Sequence, residues 1–204
     1  MEKKDLKPAG VFKYFEEICQ VPRPSKKEEK MIAYLKAFGA KHNLETKVDE
    51  AGNVLIKKPA TPGKENLQTV VLQSHIDMVC EKNNDVQHDF LTDPIETEID
   101  GEWLKAKGTT LGADNGIGVA TELAILADDS IEHGPLECLF TVDEETGLTG
   151  AFALKEGFMS GDILLNLDSE DEGEIFIGSP EVSIPLQSLL IKRLKFPPDI
   201  SSSK

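Results

Sequence analysis

Positive charge is what this sequence has least of: 22 Lys and Arg stand against 37 Asp and Glu in 204 residues, a formal net charge of −15. A chain so acidic is poorly suited to neutralising phosphates, which excludes nucleic acid and anionic membrane surfaces as expected partners. Cysteine is scarce as well. Cys19, Cys80 and Cys138 stand far apart with no CxxC pair, which argues against a disulfide framework or a cysteine zinc site and predicts reduced, mostly buried thiols. No apolar run approaches the length of a membrane span, and no apolar stretch follows the charged start at Met1 to Pro8, so the expected compartment is the cytoplasm. GxGxxG, P-loop and GxSxG sequences are all missing, which removes the nucleotide-binding and serine-hydrolase readings. Nothing repeats internally, and low complexity is confined to Ser201-Ser202-Ser203.

What is present can build a core: 39% of residues are apolar, enough for one large domain or two small ones. Val11, Phe12, Phe15, Ile18 and Cys19 recur at helical spacing, and Val21-Pro22-Arg23-Pro24 must end that helix. Ser25 with Glu28 has the capping-box form and predicts a second helix that buries Met31, Ile32, Leu35 and Phe38. Lys47-Val48 and Val54-Leu55-Ile56 flank a hairpin turn, followed by a polar loop from Pro59 to Asn66. Apolar runs at 69–72, 136–142 and 163–167 read as buried strands. One helix is expected from the glycine-rich loop to about Ala127 and another from Ala151 to Phe158. Strands alternating with helices predict an α/β fold, a mainly parallel mixed sheet flanked by helices, in which ligands bind beyond the carboxyl ends of strands.

Each of those three strand ends leads into polar residues. His75 and Asp77 lie two apart on extended chain and so point the same way. A metal-ligating His commonly gives its second N–H to a carboxylate, although a structural His with a partner has the same form. Gly108 to Ala120 sets Asp114 among four glycines ahead of a helical apolar pattern. Such a segment is a close-approach loop that aims the carboxylate, or an ordinary turn with a helix-capping Asp. Glu144 and Glu145 are neighbouring like charges at the end of a buried strand, unfavourable unless a cation offsets them; one could ligate while the other acts as base. Asp168 ends the third run. The acidic stretch after it superficially resembles a calcium loop, but its twelfth position is Ser179 and no flanking helices are predicted. From Leu136 to Glu174 eleven acids face the single Lys155, a solvated acidic surface or a cation site. One imidazole with three or four carboxylates suits Zn, Mn or Co better than copper.

Four ordered segments, Ser74-His75-Ile76-Asp77-Met78-Val79, Leu111-Gly112-Ala113-Asp114-Asn115-Gly116, Phe140 to Gly147 and Leu167-Asp168, resemble the successive metal-site motifs of the aminoacyl-histidine dipeptidases. These are cytosolic dinuclear metallopeptidases of the aminoacylase and glutamate-carboxypeptidase superfamily, also called Xaa-His or cytosol nonspecific dipeptidases. The likeness runs from the N-terminus to about Gly178. It implies a zinc-exopeptidase-like catalytic domain and two divalent metal ions, Zn first with Mn or Co as alternatives. It also implies a small peptide as substrate and a homodimer as one assembly. By this resemblance His75, Asp114 and Asp168 bind one metal, and Asp114 bridges to a second held by Glu145. Asp77 orients His75, Glu144 is the general base, and the peptide bond after Asp114 is cis. Members of the family also carry an inserted lid and two further His residues, one a metal ligand and one that stabilises the oxyanion. His42, His88 and His133 match neither. The expectation is therefore that 1–178 is the N-terminal part of the catalytic domain and 179–204 a divergent tail. On this reading the gene product is truncated or frameshifted, and its second metal site lacks one ligand. Two functions follow: a metal-dependent dipeptidase of the Xaa-His type, or a catalytically weak or inactive metal-binding fragment of one.

Overall fold

Strand alternation and helix spacing divide the apolar residues into two sets, and a sheet lies between them. The computed structural model describes residues 3–169, which fall within the unit Met1–Glu172. The predicted tail 179–204 and the acidic residues from Glu170 onward lie outside the described residues. In chain order the elements are α1 (Ala9–Cys19), α2 (Glu29–Lys41), β1 (Glu45–Val48), β2 (Val54–Lys58), β3 (Val70–His75), β4 (Thr97–Asp100), β5 (Trp103–Ala106), α3 (Ala113–Ala127), β6 (Leu136–Thr141), α4 (Glu144–Gly147), α5 (Thr149–Ala153) and β7 (Ile163–Asn166).

The sheet has the order β1-β2-β6-β3-β7. β3 runs parallel to both β6 and β7, whereas β2 is antiparallel to β6 and to β1. The sheet is thus evenly mixed, and its parallel half supplies the strand ends discussed below. Val54, Ile56, Leu72, Cys138 and Phe140 share one face with the apolar sides of α1, α2 and α3. The intervening Leu55, Val71 and Leu139 face the other way, under Leu154, Phe158 and Met159. This period of two is what the pleat requires. Leu35 and Leu123 are fully buried in the helical layer, where truncation of either to Ala costs about 2–5 kcal/mol.

Three expectations change, and one hairpin is added. The Ser25–Glu28 capping box does not form: the Ser25 hydroxyl donates to Asp77 Oδ2 at 2.7 Å, and Glu28 Oε1 accepts the N–H groups of Lys26 and Asp143 at 2.9 and 3.0 Å. Tertiary partners outcompeted the local cap. The helix expected over Ala151 to Phe158 is α5, which starts earlier and ends at Ala153. The run at 163–167 forms β7 but is not buried, since Leu164 and Leu165 are each 48% exposed. β7 pairs with β3 alone among the described residues, so its apolar character lacks the cover that a central strand receives. The hairpin β4–β5 was not foreseen, although Asp100-Gly101, with Gly101 at φ 63°, is a turn signal.

Candidate metal centre

The carboxyl ends of β3, β6 and β7 lie side by side, and the residues that follow them converge. His75 ends β3 and is 1% exposed. Its Nδ1 lies 3.2 Å from Asp77 Oδ1, and its Nε2 faces Asp114 Oδ1 at 3.0 Å, Asp168 Oδ1 at 3.7 Å and Glu144 Oε2 at 4.0 Å. With Nδ1 committed to Asp77, Nε2 is the atom turned to the other acids.

Asp77 is fully buried and fully engaged. Besides His75 it accepts the Ser25 hydroxyl and the N–H groups of Glu144 and Glu145, at 3.0 and 3.2 Å. One carboxylate therefore orients the imidazole and anchors α4, the turn that presents both glutamates. Asp114 arrives from the start of α3. Gly112 holds the N-cap position in the left-handed region at φ 67°, Asp114 and Asn115 depart from helical angles, and the peptide bond between them is cis. Asn115 Nδ2 donates to Asp168 Oδ1 at 2.7 Å, tying α3 to the end of β7.

Two sets of side chains bring their ligand atoms within 4.8 Å of one another: His75 with Asp114 and Asp168, and His75 with Glu144 and Glu145. Glu145 thus groups with His75 and Glu144 here, not with Asp114. All six residues singled out from the sequence lie in this one region. The remaining histidines do not: His42 lies tilted over Phe38 at 4.4 Å, His88 meets Phe90 edge-on at 4.4 Å, and His133 Nδ1 sits 2.6 Å from Gly134 O.

Burial opposes a charged His75 ring, yet the hydrogen bond to Asp77, the charge of Asp168 and the contact with Asp114 outweigh it and lift its pKa to about 9. Burial likewise resists ionisation of Asp77, but His75, the Glu144 N–H and Ser25 hold its pKa down at about 2. Glu144, Glu145 and Asp168 are all pushed up, first by burial and then by neighbouring carboxylates: Asp168 and Glu145 act on Glu144, and Asp114 acts on the other two. In such a cluster each carboxylate resists the charge of its neighbours, a cost that a divalent cation would offset, and its oxygen and imidazole donors fit Zn, Mn or Co.

Sequence reasoning missed several supports of this region. Ser25, expected to cap a helix, bonds Asp77 instead, while Arg23, expected only within a helix-ending stretch, and Asn115, expected only as the residue after Asp114, carry side-chain bonds that no local pattern announces. Glu122, on the buried side of α3, went unmentioned, although a Glu within Val119-Ala120-x-x-Leu123 at helical spacing was a visible anomaly.

Comparison with known proteins shows which family the chain resembles. The model of the Peptidase family M20/M25/M40 matches residues 71–184. The cytosol non-specific dipeptidase of Escherichia coli is 52% identical over 177 residues, covering 87% of this chain and 36% of that protein. The solved aminoacylhistidine dipeptidase of Vibrio alginolyticus superposes with a TM-score of 0.82 at 56% identity, over 85% of this chain and 35% of that one. Aminopeptidase PepT of Bacillus cereus follows at a TM-score of 0.68 and 26% identity, over 79% and 43%. The chain spans little more than a third of the length of the first two of these relatives. With the family model matched across more than half of its residues, the chain belongs to the peptidase family M20/M25/M40.

Proposed function

We propose that this chain carries the metal-holding part of a dipeptidase, with His75, Asp114 and Asp168 around one divalent cation and Glu145 beside a second. The observation that carries the proposal is the convergence of one oriented imidazole and four further carboxylates at the ends of three parallel strands. Divalent cations bound there, Zn first with Mn or Co as alternatives, would polarise a peptide carbonyl and acidify a nearby water.

The chain's own residues supply the rest. Asp77 fixes the Nδ1 side of His75 and so turns Nε2 toward Asp114 and Asp168. Asn115 holds Asp168 in place. Glu144, partly exposed and with its pKa raised, is the proposed base: it takes a water proton onto its carboxylate and returns it to the leaving amine. The names of two similar relatives, a cytosol non-specific dipeptidase and an aminoacylhistidine dipeptidase, support dipeptides, including those ending in His, as the substrate class. The cytosol name of one of them supports a cytoplasmic setting, and no helix among the described residues is long and apolar enough to cross a membrane. A homodimer is the proposed assembly. Residues 1–178 are proposed as the N-terminal part of the catalytic domain.

A second reading rests on a specific observation: among the described residues His75 alone supplies an imidazole, and both ligand sets share it. One firmly held metal with little turnover is the expectation on that reading. The test is metal content by elemental analysis together with hydrolysis of His-terminated dipeptides, on wild type and Asp114→Ala. Metal and activity both lost in the variant support the enzyme reading. About one metal per chain without turnover supports the fragment reading. No bound metal under any loading condition overturns both.

A further inference from the structure

Arg23 lies beneath this acidic region, 3% exposed, and among the described residues its guanidinium donates to backbone carbonyls. Nη1 donates to Ile76 O at 3.2 Å and to Asp77 O at 3.0 Å, and Nη2 donates to Gly112 O at 2.5 Å. Ile76 and Asp77 are the exit of β3 directly after His75, while Gly112 is the N-cap of α3, two residues before Asp114. One planar fork therefore spans the gap that the His75–Asp114 approach of 3.0 Å also spans. A guanidinium suits this task because its donors are fixed relative to one another, unlike those of a flexible ammonium.

The glycine-rich loop carries the complementary feature. A Cβ on Gly112 would lie 2.5 Å from Arg23 Nη2, and one on Gly116 would lie 2.7 Å from it. Gly112 also needs its positive φ, but Gly116 does not have one. At Gly116 the lack of a side chain makes room for the guanidinium and for Phe15, whose ring a Cβ would meet at 3.1 Å. Gly116 N–H in turn donates to Gly112 O at 3.1 Å, the same carbonyl that Arg23 grips.

We infer that Arg23 is a positioning residue: by clamping the exit of β3 to the N-cap of α3, it sets the separation of His75 from Asp114. Its consequence for metal binding rests on the proposed function; the clamp itself does not. Charge and position predict opposite signs. A buried cation under the site repels a bound metal, so loss of the charge alone would tighten metal binding. Loss of the clamp moves one ligand from another and loosens it.

The experiment compares the full chain with Arg23→Met and Arg23→Lys below their unfolding temperatures. It reads Co(II) affinity by chelator competition, the Co(II) visible spectrum, and hydrogen exchange of the Gly116 amide. Both variants are expected to bind Co(II) about tenfold or more weakly, with an altered spectrum, because neither side chain can span the three carbonyls. Gly116 is expected to lose about tenfold or more of its protection. Tighter or unchanged Co(II) binding by Arg23→Met with unchanged Gly116 protection overturns the clamp, as does full recovery of affinity, spectrum and protection in Arg23→Lys. If wild type binds no Co(II), the metal reading falls, and the Gly116 amide alone decides for or against the clamp.

Discussion

Asp77 and Glu122 are both fully buried carboxylates, one bonded to His75 and the other beside Ser74, and they are in opposite states. Asp77 accepts from Ser25, Glu144 and Glu145 and pairs with His75, and its pKa is held down at about 2. Among the described residues neither oxygen of Glu122 has a well-formed hydrogen bond; burial dominates, the nearby Ser74 hydroxyl and Cys138 thiol moderate it only in part, and its pKa stands at about 8. Burial alone thus does not decide charge. An ion survives inside only where the fold brings donors to it; otherwise it keeps its proton.

Asp77→Ala is expected to break the contrast most strongly. It leaves His75 Nδ1, Ser25 and two N–H groups without their acceptor, at about 3–5 kcal/mol in urea unfolding at pH 7. Glu122→Gln is next and has the opposite sign. A raised carboxyl pKa makes the folded state lose stability as pH climbs from the unfolded value near 4.5 through about 8. The variant is therefore expected to match wild type near pH 4 and to exceed it by about 2 kcal/mol or more at pH 8. Parallel pH profiles for the two proteins would show that Glu122 is ionised inside the fold.

Ser25→Ala removes one of the donors to Asp77 and is expected to cost about 1.5–3 kcal/mol. It also tests the acid limb. Asp77 contributes stability that is present above its unfolded pKa near 3.9 and lost as pH falls through about 2. With a donor gone the folded pKa rises toward the unfolded one, so the loss is expected to be smaller and complete at a higher pH in an acid titration followed by circular dichroism. Glu50→Gln is the smallest: Glu50 pairs with Lys155 at 2.6 Å in open solvent, and thermal unfolding is expected not to distinguish the variant from wild type.

Helix and strand periods were readable in the chain because they are local. Phe15 with Ile18, Met31 with Leu35 and Leu123 with Leu126 each repeat as a helix face requires, and Leu72, Cys138 and Phe140 fill strands whose alternation separates two faces. The same locality exposed His75-x-Asp77, the Asp114 loop and the two glutamates, since each is a short run of chemically distinctive residues. Burial of β7 could not be read this way: Leu164 and Leu165 look like core residues in sequence, and only their place beside β3 leaves them open.

The sequence by itself determined which residues can carry chemistry and on which kind of element each stands. What holds them came from packing: Ser25 bonded to Asp77 across 52 positions, Arg23 bonded to Gly112 across 89, Asn115 bonded to Asp168 across 53, and Glu122 buried with only the weak company of Ser74 and Cys138. Backbone periodicity is set by neighbours a few residues away, whereas a buried polar group takes whichever partner packing delivers. That partner belongs to another element, at a separation no local pattern encodes.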